Sequence, residues 1–165
     1  MSVHRTRPAT GAASVLIRPP ANEQEFDAYY SLRWKILRKP WNQPAGSEKD
    51  AFESEAFHLG SWTESGDLIA VGRLHRISEY SAQIRYMAVD PSQRSRGVGT
   101  AMLRELESFA VRSGVREIKL NAREEAVQFY TANGYELVRP SHRLFGLIQH
   151  FEMQKQMQTT ADRLE

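Results

Sequence analysis

The stretch Gln93–Met102, QRSRGVGTAM, decides the fold. It sets Arg94, Arg96, Gly97 and Gly99 close together, and a helical pattern follows at once. Val98, Ala101, Met102, Leu106, Phe109 and Ala110 fall on one stripe. Cations at a helix N-terminus oppose the macrodipole and cost about 0.3–1 kcal/mol each when exposed. The simplest physical account is an anion bound there, with glycines that let the backbone approach it closely. Two nucleotide motifs can be set aside. A dinucleotide fingerprint needs a third small residue where Met102 stands, and a P-loop needs a Gly-Lys pair that the chain does not contain.

Outward from this stretch the chain alternates. Upstream, SAQIRYMAVD (81–90) reads as a strand, with Ile84, Tyr86 and Ala88 facing one way and Arg85, Met87 and Val89 the other. It ends before Pro91. Before it come a strand in SVLIRP (14–19) and a helix over about 23–38 capped by Asn22. A Pro- and Gly-rich loop follows, with a short helical turn over about 50–55, then strands in AFHLGSW and DLIAVGRLHRI. Downstream, the helix of about 97–113 ends at Gly114. REIKLNA is a strand, EEAVQFYTAN a short helix closed by Gly134, and YELV and FEMQK are strands. The layout is α/β with a mixed sheet.

Composition limits the function. At 165 residues, with 41% hydrophobic and 25% charged residues, the chain reads as one globular domain over 14–156, with tails at 1–13 and 157–165. Its net charge of +2, with both signs interleaved, argues against nucleic acid as a partner. The absence of cysteine excludes disulfides, thiolate metal sites and a Cys nucleophile. No apolar run is long enough to span a membrane, and the N-terminus lacks the apolar segment of a secretory signal, so a cytoplasmic location is expected.

Two blocks together resemble a known family. RSRGVG after IRYMAVDP, and AVQFYTANGY after IKLNA, resemble the pyrophosphate loop and the second block of the GNAT superfamily of acyl-CoA N-acetyltransferases, in the family's order over 84–137. The resemblance implies a single-domain GNAT fold: a mixed, mostly antiparallel sheet of about seven strands, splayed at its centre and flanked by about four helices. It implies acetyl-CoA as cosubstrate, with no metal. The loop Arg94, Ser95, Arg96, Gly97, Val98, Gly99 and Thr100 would hold the pyrophosphate. Main-chain groups of Met87, Ala88 and Val89 would pair with the pantetheine amides. The amide of Val89 or Met87 would polarise the thioester carbonyl. Asn121 and Phe129 join the cofactor-binding set, and Tyr130 would protonate the departing thiolate.

Residue by residue, some roles stay open. Asn121 holds the coenzyme or caps the next helix. Phe129 is expected to face the core and Tyr130 the cleft, since helical neighbours point about 100° apart. Histone-type relatives carry a Glu where this chain has Gln83, so the base is His75, Glu79, His142, His150 or water. The acceptor pocket is expected between LRWKILRKPWNQP and SHRLFGLIQHFEM, whose Trp residues and cations could take an acceptor with an anionic group or could equally be ordinary packing and solvated charge. The expected partner is a small-molecule or protein amine, with neither nucleic acid nor membrane, and a homodimer is open because many relatives pair. An acyl-CoA sensor without turnover, or another acyl donor such as succinyl-CoA, are the alternatives.

Overall fold

A computed structural model describes residues 4–6 and 15–158. Residues 1–3, 7–14 and 159–165, which are most of both expected tails and Ser14 of the expected domain, lie outside the described residues. Within the N-terminal tail, His4–Thr6 forms a short strand, β1, antiparallel to β2 (Val15–Arg18). The order continues α1 (Glu23–Leu37), β3 (Phe57–Thr63), β4 (Leu68–Arg76), β5 (Ser81–Val89), α2 (Val98–Arg112), β6 (Glu117–Arg123), α3 (Val127–Ala132), β7 (Glu136–Leu144) and β8 (Ile148–Gln156). This is a mixed, mostly antiparallel α/β architecture, with eight strands and three α-helices among the described residues. The eighth strand is β1, and short 3-10 turns stand where a further helix was expected.

The chain divides into two compact units. The first comprises residues up to Leu74 together with Tyr86–Leu106. Its strands run β1-β2-β3-β4 with antiparallel registers that begin at His4↔Ile17, Val15↔Thr63 and Phe57↔Leu74. Helix α1 starts cleanly, because Asn22 Oδ1 accepts the Glu25 N–H at 2.9 Å and Glu23 and Glu25 supply negative charge to the first turn. The first turns of α2 bury Val98, Met102, Leu103 and Leu106. Each such side chain contributes about 1.5–3 kcal/mol relative to exposure. Leu103, absent from the expected stripe, is fully buried, whereas Ala101 is only half-buried. Gly72 makes the close helix–strand approach possible: a Cβ there would sit 2.6 Å from Met87 Sδ and 3.1 Å from Leu106 Cδ1.

The second unit comprises His75–Arg85 and the residues from Glu107 onward. The start of β5 pairs in parallel with β6, from Ser81↔Glu117 to Gln83↔Lys119. β6 pairs antiparallel with β8, and β8 with β7. The β7–β8 hairpin is far longer than YELV and FEMQK imply: both strands have nine residues. Alternation fails along β7 because its register shifts twice, between Leu137 and Arg139 and between Pro140 and Arg143, which hides the strand from a period-two reading. Tyr135, Glu107 and Lys155 form a polar group here. Lys155 Nζ donates to both Glu107 carboxylate oxygens at 3.1 Å, and the Tyr135 hydroxyl donates to Oε1 at 3.3 Å.

Candidate functional site

The loop that opens α2 has the backbone its sequence promised. Ser95 and Gly97 both take left-handed conformations, φ +64° and +79°, on either side of Arg96. Glycine meets that demand without cost at 97. Alternating backbone of this kind turns successive N–H groups toward one concavity. The first intrahelical bond runs from Ala101 N–H to the Gly97 carbonyl at 3.0 Å, so the amides of Val98, Gly99 and Thr100 precede the helical ladder. No acidic residue stands in the first turn of α2. Arg94, Ser95 and Arg96 are exposed, and Arg94 Nε reaches the Val89 carbonyl at 3.4 Å. Asp90 ties the turn before the loop, accepting from the Ser92 N–H at 2.9 Å and its hydroxyl at 2.7 Å. The Ser92 hydroxyl, and then its N–H, hold the Asp90 carboxyl below its ordinary range.

On β5, Met87 and Val89 are half-buried and Ala88 is buried. The parallel ladder with β6 stops at Gln83↔Lys119, so Met87–Val89 lie beyond it. Tyr86 sits between, at φ +60°, an unusual backbone for a bulky residue that costs about 1–3 kcal/mol. Packing over-determines it: the guanidinium carbons of Arg33, Arg73 and Arg38 lie 4.4, 4.9 and 5.7 Å from its ring centroid.

Those arginines belong to a buried ionic network that no motif announced. Arg33 on α1 and Arg73 on β4 are both fully buried. Arg33 Nη1 donates to Glu53 Oε1 at 2.8 Å and Nη2 to the Tyr29 hydroxyl at 3.1 Å. Arg73 grips Asp50 with two bonds of 2.6 and 2.8 Å and shares Glu53 Oε1 at 2.7 Å. His58 Nε2 donates to the Glu53 carbonyl at 2.7 Å. Burial opposes ionisation of Glu53, but the two guanidiniums prevail and hold its carboxyl below the usual range. Burial pushes the His58 imidazole down. The network fastens the segment carrying Asp50 and Glu53 onto α1 and β4. Of the cations in LRWKILRKPWNQP, Arg33 is paired internally and Arg38 donates to the Ser47 and Leu37 carbonyls, so these two follow the packing alternative. Trp34 Nε1 likewise donates to the Gln43 carbonyl at 2.9 Å. The available signal was Arg33 itself, set at i+4 from Tyr29 and i−4 from Leu37 on the buried face of α1.

In the second unit, Tyr130 is buried and Phe129 only half-buried, the reverse of the expected pair. The short helix turns Tyr130 against Tyr135, ring centroids 5.7 Å apart and edge-on, while Phe129 lies 5.0 Å away. Burial raises the Tyr130 phenol well above its ordinary pKa, so it stays protonated. Asn121 does not end its strand: it lies exposed within β6, opposite Glu152, and the following 3-10 turn has no side-chain cap, which removes the capping alternative. Of the candidate bases, His75 is buried at the end of β4 and Glu79 is exposed in the turn after it. His142 and His150 are brought together, their rings stacked at 4.3 Å.

The acetyltransferase (GNAT) family model matches residues 26–135. This chain belongs to that family. It is therefore an acyltransferase. YjcF of Bacillus subtilis strain 168, an uncharacterized N-acetyltransferase, is 32% identical over 133 residues, 81% of this chain and 93% of that protein. The N-alpha-acetyltransferase RimI of Mycobacterium tuberculosis is 27% identical over 110 residues, 64% of this chain and 68% of that one. Among solved structures, an aminoglycoside 6'-N-acetyltransferase complexed with coenzyme A superposes with a TM-score of 0.72 at 16% identity, covering 86% of this chain and 97% of that chain. An acyl-CoA N-acyltransferase from Pseudomonas aeruginosa does so at 0.71 and 20% identity, covering 93% and 99%. The GNAT fold is common to them. No helix among the described residues is long and apolar enough to cross a membrane, and no group of three or more metal-ligating side chains is present among them.

Proposed function

We propose that this acyltransferase, its domain spanning about 14–156, moves an acetyl group from acetyl-CoA directly to an amine. The observation that carries the reading is the start of α2. Two left-handed residues, Ser95 and Gly97, lead into a first turn that lacks acids, and two exposed arginines, Arg94 and Arg96, stand just before it. Such a terminus suits a pyrophosphate. Arg94 through Thr100 would hold it, and the main chain of Met87–Val89, beyond the β6 ladder, would pair with amides of the pantetheine as a sheet edge pairs with an added strand. The Val89 or Met87 amide would stabilise the developing oxyanion. Asn121 and Phe129 complete the set proposed to hold the coenzyme. Bound acetyl-CoA supplies the activated thioester.

Tyr130 gives the reading its proton donor. Transfer forms a C–N bond and breaks a C–S bond, and the departing sulfur needs a proton. A phenol kept protonated by burial is suited to give it. The names of two similar proteins guide the first acceptors to try, peptides with free N-termini and aminoglycosides; amino sugars and polyamines widen the set of amines, each scored by free thiol release from acetyl-CoA. On an acceptor that is turned over, Tyr130→Phe should lower kcat by about 10²–10⁴-fold. It should change coenzyme A affinity by less than about threefold, because binding rests on the loop and the strand backbone. A Phe variant with near-normal kcat would make water the proton source and Tyr130 a packing residue.

A further inference from the structure

The other proton of the reaction, the one the acceptor ammonium must lose before it attacks, needs a base, and Gln83 offers none. The hairpin of the second unit holds an arrangement that fits. Register pairs Arg123 of β6 with His150 of β8. On the far side of β8, the second register shift of β7, between Pro140 and Arg143, places His142 over His150 with the rings 4.3 Å apart and 17° from parallel. Bulges of this kind re-aim a side chain out of the strand's ordinary alternation. The row Arg123–His150–His142 therefore lies on one face of the sheet. Leu120, Ala122 and Met153, which are buried, point to the other.

The two imidazoles differ in access and in tautomer. His150 is buried, and its Nδ1 lies 2.9 Å from the Ile148 carbonyl. A carbonyl only accepts, so Nδ1 carries the proton and the ring is fixed. His142 is exposed, its Nδ1 3.1 Å from the Ser141 hydroxyl. The charged residues nearest in charge effect, register or sequence are mostly positive: Arg85 on β5, whose charge acts on His142, Arg123 on β6, in register with His150, and Arg139 and Arg143 on the same strand as His142. Glu152 of β8 is engaged by Arg139 at 3.0 Å, and Glu124 and Glu125 are exposed on the 3-10 turn before α3. Burial and the Arg85 charge both lower the pKa of His142. Two stacked imidazoles cannot both be charged at this distance without strong repulsion. A histidine that is solvent-open, neutral at pH 7 and held in plane by a second ring is poised to accept a proton.

We propose that His142 is the general base of the transfer, with His150 as its positioning residue; this rests on the acetyltransferase reading above. The acceptor R–NH3+ gives a proton to the His142 imidazole. The freed lone pair forms the N–C bond, the C–S bond breaks, and the thiolate sulfur takes its proton from Tyr130. The second amine proton is lost as the amide forms and, relayed through solvent, restores the Tyr130 phenol, while His142 releases the first proton to solvent, so the net change is one proton freed.

The test is kcat against pH for wild type, His142→Gln and His142→Ala, using the best acceptor among the peptides, aminoglycosides, amino sugars and polyamines named above. Wild type should show an acidic limb, rising through a pKa below the ordinary ~6.5 of histidine. His142→Gln should lose that limb and about 10²–10⁴-fold in kcat, with coenzyme A affinity unchanged. Added imidazole should restore part of the His142→Ala rate, which a structural role would not allow. His150→Gln should displace the limb without abolishing it. A His142→Gln enzyme that keeps both kcat and the limb overturns the assignment while leaving the transferase reading intact. Absence of thiol release by wild type with every amine overturns the transferase reading, and this inference with it.

Discussion

Two helices of fifteen residues begin in opposite ways. At the start of α1 the chain satisfies itself: Asn22 caps, Glu25 accepts from Ala21 N–H at 2.7 Å, and Arg18 pairs with Glu25 through two bonds of 2.8 and 2.7 Å. At the start of α2 the charge is reversed, with Arg94 and Arg96 just before the helix and no acid in its first turn. A helix closed by its own side chains stabilises the fold. One left open, with cations against its dipole, gives up a little stability, and the proposed return is a bound anion. The arginines divide the same way: Arg33 and Arg73 are buried on carboxylates, Arg94 and Arg96 are exposed.

The contrast is tested most severely at the buried arginines. Glu53→Ala removes an acceptor from Arg33, Arg73 and Tyr30 together. Stranding a buried charge costs about 3–5 kcal/mol. For a chain of this size that lowers Tm by roughly 10 °C or more, read by calorimetry. The same network sets an acid dependence. The folded pKa of His58 is depressed, so its stability contribution is complete above the unfolded value, ~6.5, and is lost as pH falls toward the folded one. Glu53, also depressed, loses its contribution below the ordinary carboxylate range of ~4.3. Denaturant titrations from pH 7.5 down to about pH 2.5 should show both steps, and His58→Gln should flatten the first.

Asn22→Ala should cost about 1 kcal/mol of folding free energy by losing the α1 cap, with coenzyme A binding unaffected. Because Arg18 depresses the Glu25 carboxyl, the α1 closure should weaken as pH falls through and below the carboxylate range. The smallest effect is expected on folding at the other helix. Arg96→Ala should leave apo stability within about 0.5 kcal/mol of wild type, while the thermal upshift given by coenzyme A shrinks. Strong apo destabilisation would make Arg96 a structural residue and erase the contrast.

Sequence foretold the α2 loop because its signals are local. Gly97 fills a left-handed position, Asp90-Pro91 ends a strand, and cations sit where a helix would prefer acids. Asn22 and Gly114 marked helix ends for the same reason. The buried network escaped because its partners are distant in the chain: Asp50 and Glu53 meet Arg73 and Arg33 across 20 or more residues, and a carboxylate in a polar loop reads as solvated. Tyr130 and Phe129 came out in the opposite order of burial, since a helix of six residues has too few positions to phase. Two register shifts concealed most of β7, and with them the stacking of His142 on His150.

The central claim, that the opening of α2 holds the coenzyme pyrophosphate, is tested most directly by calorimetric titration of coenzyme A into wild type and an Arg94→Ala/Arg96→Ala double variant. Binding to the double variant should weaken at least about tenfold, ~1.4 kcal/mol, with the apo Tm unchanged or slightly raised. Equal affinity in a folded double variant would contradict it.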